Sequence, residues 1–205
     1  MNLPTQLTVL RIILTPFFVY TLFLDHLIFK YISFVIFTVA SLTDLYDGYY
    51  AKKYGYVTKW GKFLDPLADK ILVSAALIAF YILDYIHLWV VIVIVTRDFF
   101  ITGLRSYALY REKPVVTREY ARWKTFMQMT AVFIVYIFLL VDYQARYLEQ
   151  NYVVVEFLRK INFTNKLMAF IALLTLVTGV LYFIENRSQI KTLFISFYKI
   201  FIPSE

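Results

Sequence analysis

The sequence predicts an all-α integral membrane protein with six transmembrane helices and short interfacial helices at the termini. Hydrophobic residues make up 61% of the 205 residues, and charged residues only 17%, against roughly 25% in an ordinary soluble domain. The mean hydropathy is +0.66. A helix needs about 20 mostly apolar residues to cross a bilayer, and the chain offers six candidate stretches. We therefore expect a single membrane domain over residues 1–205.

The six predicted spans follow one another with short connections. They are Leu7–Leu24, Tyr31–Lys53, Asp65–Tyr85, Trp89–Tyr110, Arg122–Val141 and Lys166–Ile184. Met1–Gln6 is a short lead at the membrane surface, and Asp142–Lys160 is a polar external connection without a motif. After Asn186, the tail places Lys191 and Lys199 among aromatic and aliphatic residues. That tail is too short to span, and its composition predicts an amphipathic helix in the interface.

Composition excludes several kinds of function. The chain has no cysteine, which excludes disulfides, thiol chemistry and cysteine-ligated metal centres. Its net charge of +7 would suit nucleic acid in a soluble protein. In a membrane protein that charge instead indicates loops facing anionic headgroups and phosphate-bearing substrates. No cleavable signal peptide is evident, because Arg11 lies within the first apolar stretch and no small-residue cleavage site follows it.

The basic residues between the predicted spans favour one side of the membrane. That side receives Arg11, Lys52, Lys53, Lys59, Lys62, Arg111, Lys113, Arg118, Arg122, Lys124, Arg187 and Lys191, and the other receives Lys30, Arg146, Arg159 and Lys160. The positive-inside rule then predicts a multi-pass protein of the inner (plasma) membrane with both termini in the cytoplasm. The second span ends, and the third begins, on that cytoplasmic side.

Four carboxylates lie at this junction, in the stretch from Asp44 to Asp69. Asp44 and Asp47 are three residues apart, and Asp65 and Asp69 are four apart, so each pair shares one face of a helix. Ionisable groups are costly in a membrane and indicate function. Carboxylate oxygens are the ligands that Mg²⁺ or Mn²⁺ prefers, and crowded carboxylates would repel one another without such ions. The sequence therefore predicts a divalent-metal site.

The same stretch resembles the signature of the CDP-alcohol phosphatidyltransferases, D-x2-D-G-x2-A-R-x8-G-x3-D-x3-D. The matching positions are Asp44, Asp47, Gly48, Ala51, Lys52, Gly61, Asp65 and Asp69, with every spacing kept. Lys52 is the one departure, because the family usually has arginine there. Lysine keeps the charge but loses the planar fork that binds phosphate through two hydrogen bonds.

The resemblance implies a reaction and a role for each of these residues. A phosphatidyl group would pass from CDP-diacylglycerol to an alcohol, with release of CMP. Gly48, Ala51 and Lys52 would contact the CDP moiety, whereas all four aspartates would bind metal, with two divalent ions expected. For Asp69 the alternative to a metal ligand is the role that the resemblance implies, the general base that takes the hydroxyl proton of the acceptor. The family resemblance further implies a homodimer.

Three cations predict a second, anionic substrate. Arg97 and Arg105 lie eight residues apart on the fourth span, within about 80° of each other around a helix. Lys124 begins the fifth span on the same side. Guanidinium groups match phosphate oxygens, so these cations are candidates for the acceptor phosphate. The alternative for Arg105 and Lys124 is that they reach to lipid headgroups, and for Arg97 that it pairs with Asp98.

The acceptor follows from a second resemblance. The segments NLPTQLTVLRI, TRDFFITGLRSYALY and WKTFMQM resemble the phosphatidylglycerophosphate synthases within the same family, which implies glycerol 3-phosphate as acceptor. Inositol phosphate, serine or another phosphatidyl lipid remain alternative acceptors. A divalent-cation transporter is the alternative from a different class, since intramembrane acids are expected there too. Transport would favour acids near the middle of the bilayer on broken helices.

Overall fold

Seven α-helices form the part of the chain that the computed structural model describes, which covers the backbone of residues 3–54, 59–110, 119–150, 152–187 and 190. They are α1 (Leu3–Phe23), α2 (Leu27–Tyr54), α3 (Lys59–Ile82), α4 (Leu88–Tyr110), α5 (Glu119–Tyr147), α6 (Val153–Lys160) and α7 (Phe163–Glu185). No strand occurs within these ranges. The all-α prediction is therefore confirmed.

The helices correspond to the predicted spans with two differences at the ends. α1 begins at Leu3, so residues 3–6 of the predicted N-terminal lead form the first turn of a continuous helix. α5 extends to Tyr147, and α6 lies within the stretch that was predicted as a polar external connection without a motif. The C-terminal tail after residue 190 lies outside the described residues.

Three helices are long and apolar enough to cross a membrane by length and composition, judged over the described residues. These segments are Gln6–Phe23, Arg122–Tyr147 and Phe163–Glu185, and Leu27–Thr43 is a shorter apolar segment. The other long helices carry the charged residues of the candidate site, such as Arg97 and Asp98 in α4. The protein is thus a membrane protein, and the number of six crossings stays a prediction.

An aromatic cluster fixes how α1, α2, α3 and α5 meet. The rings of Phe18 and Phe37 lie 5.3 Å apart between centroids, and Phe80 and Tyr136 lie 5.5 Å apart. All four side chains are fully buried. The Tyr136 hydroxyl is 2.7 Å from the Ser33 hydroxyl, so its polar end is satisfied inside the bundle. α4 and α5 both pack against α7 on the other side of the core.

The outer surface of the bundle is apolar and the interior contains charges. On α7, Phe170, Leu173, Val177 and Ile184 are each more than half exposed. Contiguous apolar surface of this kind is rare on soluble monomers and fits contact with lipid. Conversely, Arg11 is fully buried and donates from Nε to the Ala40 carbonyl oxygen at 3.3 Å. Polar groups inside a membrane bundle bind one another or the backbone, which keeps them out of hydrocarbon.

Candidate active site

The backbone brings the two aspartate pairs onto two consecutive helices. Asp44 and Asp47 belong to the C-terminal part of α2, and Asp65 and Asp69 belong to the first half of α3. Helical geometry at these spacings keeps each pair on one helix face. The side chains at 44–54 and 59–66 lie outside the described residues, and with them the predictions for Gly48, Ala51 and Lys52. Their roles stay predictions.

Asp69 is the member of the motif whose side chain is described. Its carboxylate accepts a hydrogen bond from Lys70 Nζ at 2.9 Å, and the side chains of the two residues are 22% and 14% exposed. This charge-assisted hydrogen bond fixes the position of one carboxylate oxygen. The Asp69 carboxylate is therefore held in place at the edge of open space.

That open space is a cavity of about 570 Å³ bounded by α2, α3, α4 and α5. It is lined by Ser41, Leu42, Asp69, Lys70, Val73, Arg105, Arg122, Thr125, Phe126, Gln128, Met129, Thr130 and Phe133. Most of the surface that lines the cavity is apolar, and the lining also includes one carboxylate and three cations. A lipid-linked substrate requires this combination, with apolar walls for hydrocarbon and charged groups for phosphate.

The predicted cations divide between the cavity and a buried cluster. Arg105 lines the cavity and is exposed. Lys124 instead donates from Nζ to Asp98 Oδ1 at 2.5 Å, with a side chain only 2% exposed. Arg97 donates from Nη1 to the same Asp98 oxygen at 3.1 Å. The alternative pairing of Arg97 with Asp98 is thus present in the structure.

Asp98 is the centre of this buried cluster, which we call the Asp98 cluster and define as Arg97, Asp98, Lys124 and Gln128. Asp98 is 4% exposed, and its second oxygen accepts a hydrogen bond from Gln128 Nε2 at 3.1 Å. A buried carboxylate needs such partners, because its desolvation is expensive. The cluster fixes α4 against α5 directly behind the cavity wall that Gln128 forms.

Arg97 extends the cluster to α7. Its Nη2 donates to Thr178 Oγ1 at 3.1 Å. A Cβ added at Gly179 would lie 3.5 Å from Arg97 Cγ, which is ordinary van der Waals contact. The guanidinium therefore bridges two helices deep in the bundle, and its role as a direct phosphate contact stays a prediction.

Three charged or amide residues of the cavity were not predicted as site residues: Lys70, Arg122 and Gln128. Lys70 directly follows Asp69 and could have been suspected from that adjacency. Arg122 was treated only as a loop charge. Gln128 is an amide in an apolar span, one helical turn after Lys124, and that spacing places both on one face of α5. The signal was present for each of them, but sequence alone does not indicate which helix each one faces.

A divalent ion fits the donor set of this site. Four carboxylates from two neighbouring helices supply hard oxygen ligands, which suit Mg²⁺ or Mn²⁺ rather than softer metals. Among the described side chains there is no group of three potential metal ligands, because those of Asp44, Asp47 and Asp65 lie outside the description. Asp69 alone is seen at the cavity, and the fit therefore rests on the chemistry of the donor set.

A second buried carboxylate lies at the opposite end of the bundle. Asp142 is eighteen residues beyond Lys124 on α5, about 27 Å along the helix at 1.5 Å per residue. It accepts hydrogen bonds from Tyr85 at 2.7 Å, from Arg146 at 2.8 Å and from Arg159. We call these four residues the Asp142 cluster.

Comparison with known proteins gives one family and a consistent set of relatives. The model of the CDP-alcohol phosphatidyltransferase family matches residues 1–197. The chain is 40% identical over 147 residues to the CDP-diacylglycerol–glycerol-3-phosphate 3-phosphatidyltransferase of Bacillus subtilis (strain 168), covering 64% of this chain and 74% of the relative. A protein of the same name from Haemophilus influenzae is 37% identical over 137 residues, covering 64% and 73%.

A third relative has a different name. The probable phosphatidylglycerophosphate synthase of Mycobacterium tuberculosis is 37% identical over 134 residues, covering 64% of each chain. The family match includes both aspartate pairs as well as the helices that line the cavity.

Proposed function

Because the chain belongs to the CDP-alcohol phosphatidyltransferase family, we propose that it transfers the phosphatidyl group of CDP-diacylglycerol to sn-glycerol 3-phosphate, forming phosphatidylglycerophosphate and CMP. The observation that carries this proposal is the cavity that presents Asp69 together with Arg105 and Arg122 inside a membrane bundle. The printed names of the relatives agree with it.

The reaction is a displacement at phosphorus. A hydroxyl oxygen of glycerol 3-phosphate forms a bond to the phosphorus that carries the diacylglycerol group. The bond from that phosphorus to the bridging oxygen breaks, CMP leaves with the electron pair, and the hydroxyl proton passes to a base. Such reactions depend mainly on positioning and on charge stabilisation. The site must therefore hold two phosphate-bearing molecules in line.

Asp69 is the proposed base, and it also belongs to the proposed metal site with Asp44, Asp47 and Asp65. Members of the family use a divalent metal for catalysis. Two ions, Mg²⁺ or Mn²⁺, would reduce the negative charge of the diphosphate and of the departing CMP. The salt bridge to Lys70 holds the Asp69 carboxylate in position. A carboxylate is a weak base, so close contact with the acceptor hydroxyl must supply its catalytic effect.

The acceptor phosphate is assigned to the cations of the cavity. Arg105 and Arg122 both line it and are exposed, so their guanidinium groups are available to an incoming phosphate. Lys124 and Arg97, which we also assign to this half of the site, act through the Asp98 cluster in the described state. A direct contact from Lys124 would require its Nζ to leave Asp98.

The CDP moiety is assigned to Gly48, Ala51 and Lys52 on α2. Small residues allow the nucleotide to approach the helix closely, and Lys52 supplies a positive charge for the diphosphate. Ser41 and Leu42, about two to three turns earlier on α2, line the cavity. The order of these residues along α2 supports a position for the substrate in which its diphosphate lies near the aspartates and its acyl chains lie towards the start of the helix.

We propose further that the site faces the cytoplasm of the cell's inner membrane and that the protein is a homodimer. The bias of basic residues supports the orientation. A membrane-impermeant thiol reagent applied to intact cells should label a cysteine introduced at Gln150 and not one at Lys59, and the reverse pattern would overturn the orientation. Light scattering of the detergent-solubilised protein tests the dimer.

The direct test is acceptor-dependent release of CMP. Purified protein in detergent, with CDP-diacylglycerol and Mg²⁺ or Mn²⁺, should release CMP only when glycerol 3-phosphate is added. Inositol phosphate and serine, added separately, should give no release above the acceptor-free control. Release with one of these instead would identify the alternative acceptor. No release with any acceptor would contradict the transferase and favour the cation-transporter alternative.

A further inference from the structure

Three properties of Gln128 together indicate contact with a substrate: it lines the cavity, its side chain is buried, and one atom of its amide lacks a hydrogen-bond partner among the residues that the structure describes. It lies on α5 one turn after Lys124 and lines the cavity that also contains Asp69. The residue is only 3% exposed, so its amide is shielded from bulk water. Buried side-chain amides normally satisfy both their donors and their acceptor within the protein.

The hydrogen bond to Asp98 fixes which way the amide points. An ionised carboxylate can only accept hydrogen bonds, so the group that faces Asp98 Oδ2 at 3.1 Å must be the Nε2 donor. Asp98 is itself held by Lys124 at 2.5 Å and by Arg97 at 3.1 Å. The orientation of Gln128 is therefore determined by three charged residues, with Oε1 directed away from the carboxylate.

Gln128 Oε1 is the part of the amide that lacks a partner. Within the described part of the chain it is buried and accepts no hydrogen bond. A buried acceptor without a donor is unfavourable, and the cost is removed when a donor enters. Gln128 lines the cavity, so a donor that enters the cavity lies next to this side chain.

We infer that Gln128 Oε1 accepts a hydrogen bond from the non-reacting hydroxyl of the acceptor, which makes Gln128 a specificity-determining residue; this rests on the proposed function. In glycerol 3-phosphate one hydroxyl attacks and the other is a spectator. The attacking hydroxyl must lose its proton to a base, and Asp69 is the base at this cavity. A neutral amide oxygen is too weakly basic for that role, but it suits the C2 hydroxyl, which keeps its proton.

The inference predicts discrimination against an acceptor without that hydroxyl. A site built to bind a hydroxyl rejects the analogue that lacks it, because the protein acceptor is then left unpaired. The matched analogue is 3-hydroxypropyl phosphate, which retains the phosphate and the reacting hydroxyl. We expect the wild-type kcat/KM to be about tenfold to a hundredfold lower for the analogue than for glycerol 3-phosphate.

Gln128→Met tests the assignment, because methionine keeps the length of the side chain and removes the acceptor oxygen. The variant should lower kcat/KM for glycerol 3-phosphate and leave kcat/KM for 3-hydroxypropyl phosphate nearly unchanged. The ratio of the two kcat/KM values should therefore fall towards one. Gln144→Met is the matched control. Gln144 is on the same helix, and its Oε1 already accepts a bond from Tyr31 at 2.8 Å. This control should keep the wild-type preference.

Several outcomes would overturn the inference without touching the proposed function. A wild-type enzyme that uses both acceptors equally well contradicts it, and that measurement needs no variant. An equal loss for both acceptors in Gln128→Met would show that Gln128 only supports the Asp98 cluster. By contrast, absence of activity with glycerol 3-phosphate in the wild type would contradict the proposed function itself.

Discussion

The Asp98 cluster and the Asp142 cluster use the same chemistry in two different settings. Each is built around one carboxylate that is at most 4% exposed, and each carboxylate holds two cations and one neutral donor. At Asp98 the Lys124 side chain is 2% exposed and the neighbouring space is a cavity with Asp69 at its edge. At Asp142 the arginines are 58% and 53% exposed.

The difference in exposure separates two roles for a buried ion pair. Arg146 and Arg159 lie partly in solvent, and their contacts join α6 to the end of α5. Water can replace those contacts at modest cost. Water cannot replace the contacts of the buried cations in the Asp98 cluster in this way, and these contacts hold one wall of the cavity in place. A carboxylate with paired cations is therefore no sign of a site by itself, and its neighbours decide its role.

The largest expected effect is the loss of turnover when a metal-binding aspartate is changed, compared with a change in the Asp142 cluster. Asp65→Asn should reduce turnover about a thousandfold or more, because a lost ligand removes several kcal/mol of stabilisation of the transition state. Asp142→Asn should keep activity within a few fold, since it lies at the other end of α5. Both are measured as CMP release by protein that elutes as a single folded species. Near-normal turnover in Asp65→Asn would contradict the assignment of Asp65 to the metal site.

The next largest effect is the loss of stability when the central carboxylate of each cluster is neutralised. Asp98→Asn leaves Lys124 and Arg97 as poorly compensated charges in the interior, which costs about 3–5 kcal/mol. Asp142→Asn should cost about 1 kcal/mol, because its arginines can be solvated. Thermal unfolding in detergent should thus give a lower midpoint for Asp98→Asn than for Asp142→Asn. Equal midpoints would mean that exposure of the cations does not govern the difference.

The acceptor half of the site should respond to the cavity arginines. Arg105→Ala and Arg122→Ala should each raise the KM for glycerol 3-phosphate about tenfold, the loss of one charge-assisted contact of about 1.5 kcal/mol. The KM for CDP-diacylglycerol should change little. Arg146→Ala, which removes an arginine from the Asp142 cluster, is the control and should leave both values unchanged. An unchanged acceptor KM in both cavity variants would indicate that these arginines only reach to headgroups.

The smallest expected effect concerns the departure from the family signature. Lys52→Arg should be tolerated or should lower the KM for CDP-diacylglycerol by a few fold, because the guanidinium fork matches a diphosphate better than an ammonium does. Lys52→Ala should raise the same KM without changing that of the acceptor. If Lys52→Ala instead altered only the acceptor KM, the nucleotide contact would have been assigned to the wrong residue.

The sequence predicted the helices and the family well, for a physical reason, whereas the roles of the aspartates stay predictions. Apolar length defines a span, and motif spacing defines a shared helix face, and both are local properties. It predicted α6 poorly, since that helix is held by Arg159 on Asp142, a contact between distant parts of the chain. Packing between helices likewise decides that Arg105 reaches the cavity while Lys124 binds Asp98. Sequence spacing alone could not separate those two cations.

The central claim is that the aspartate site joins glycerol 3-phosphate to a phosphatidyl group. The most direct measurement supplies radiolabelled glycerol 3-phosphate and CDP-diacylglycerol to the purified protein and follows label in the lipid extract. The account predicts labelled phosphatidylglycerophosphate in equal amount to the CMP released with the wild type, and none with Asp69→Asn. CMP release without labelled lipid, or labelled lipid from Asp69→Asn at the wild-type rate, would contradict it.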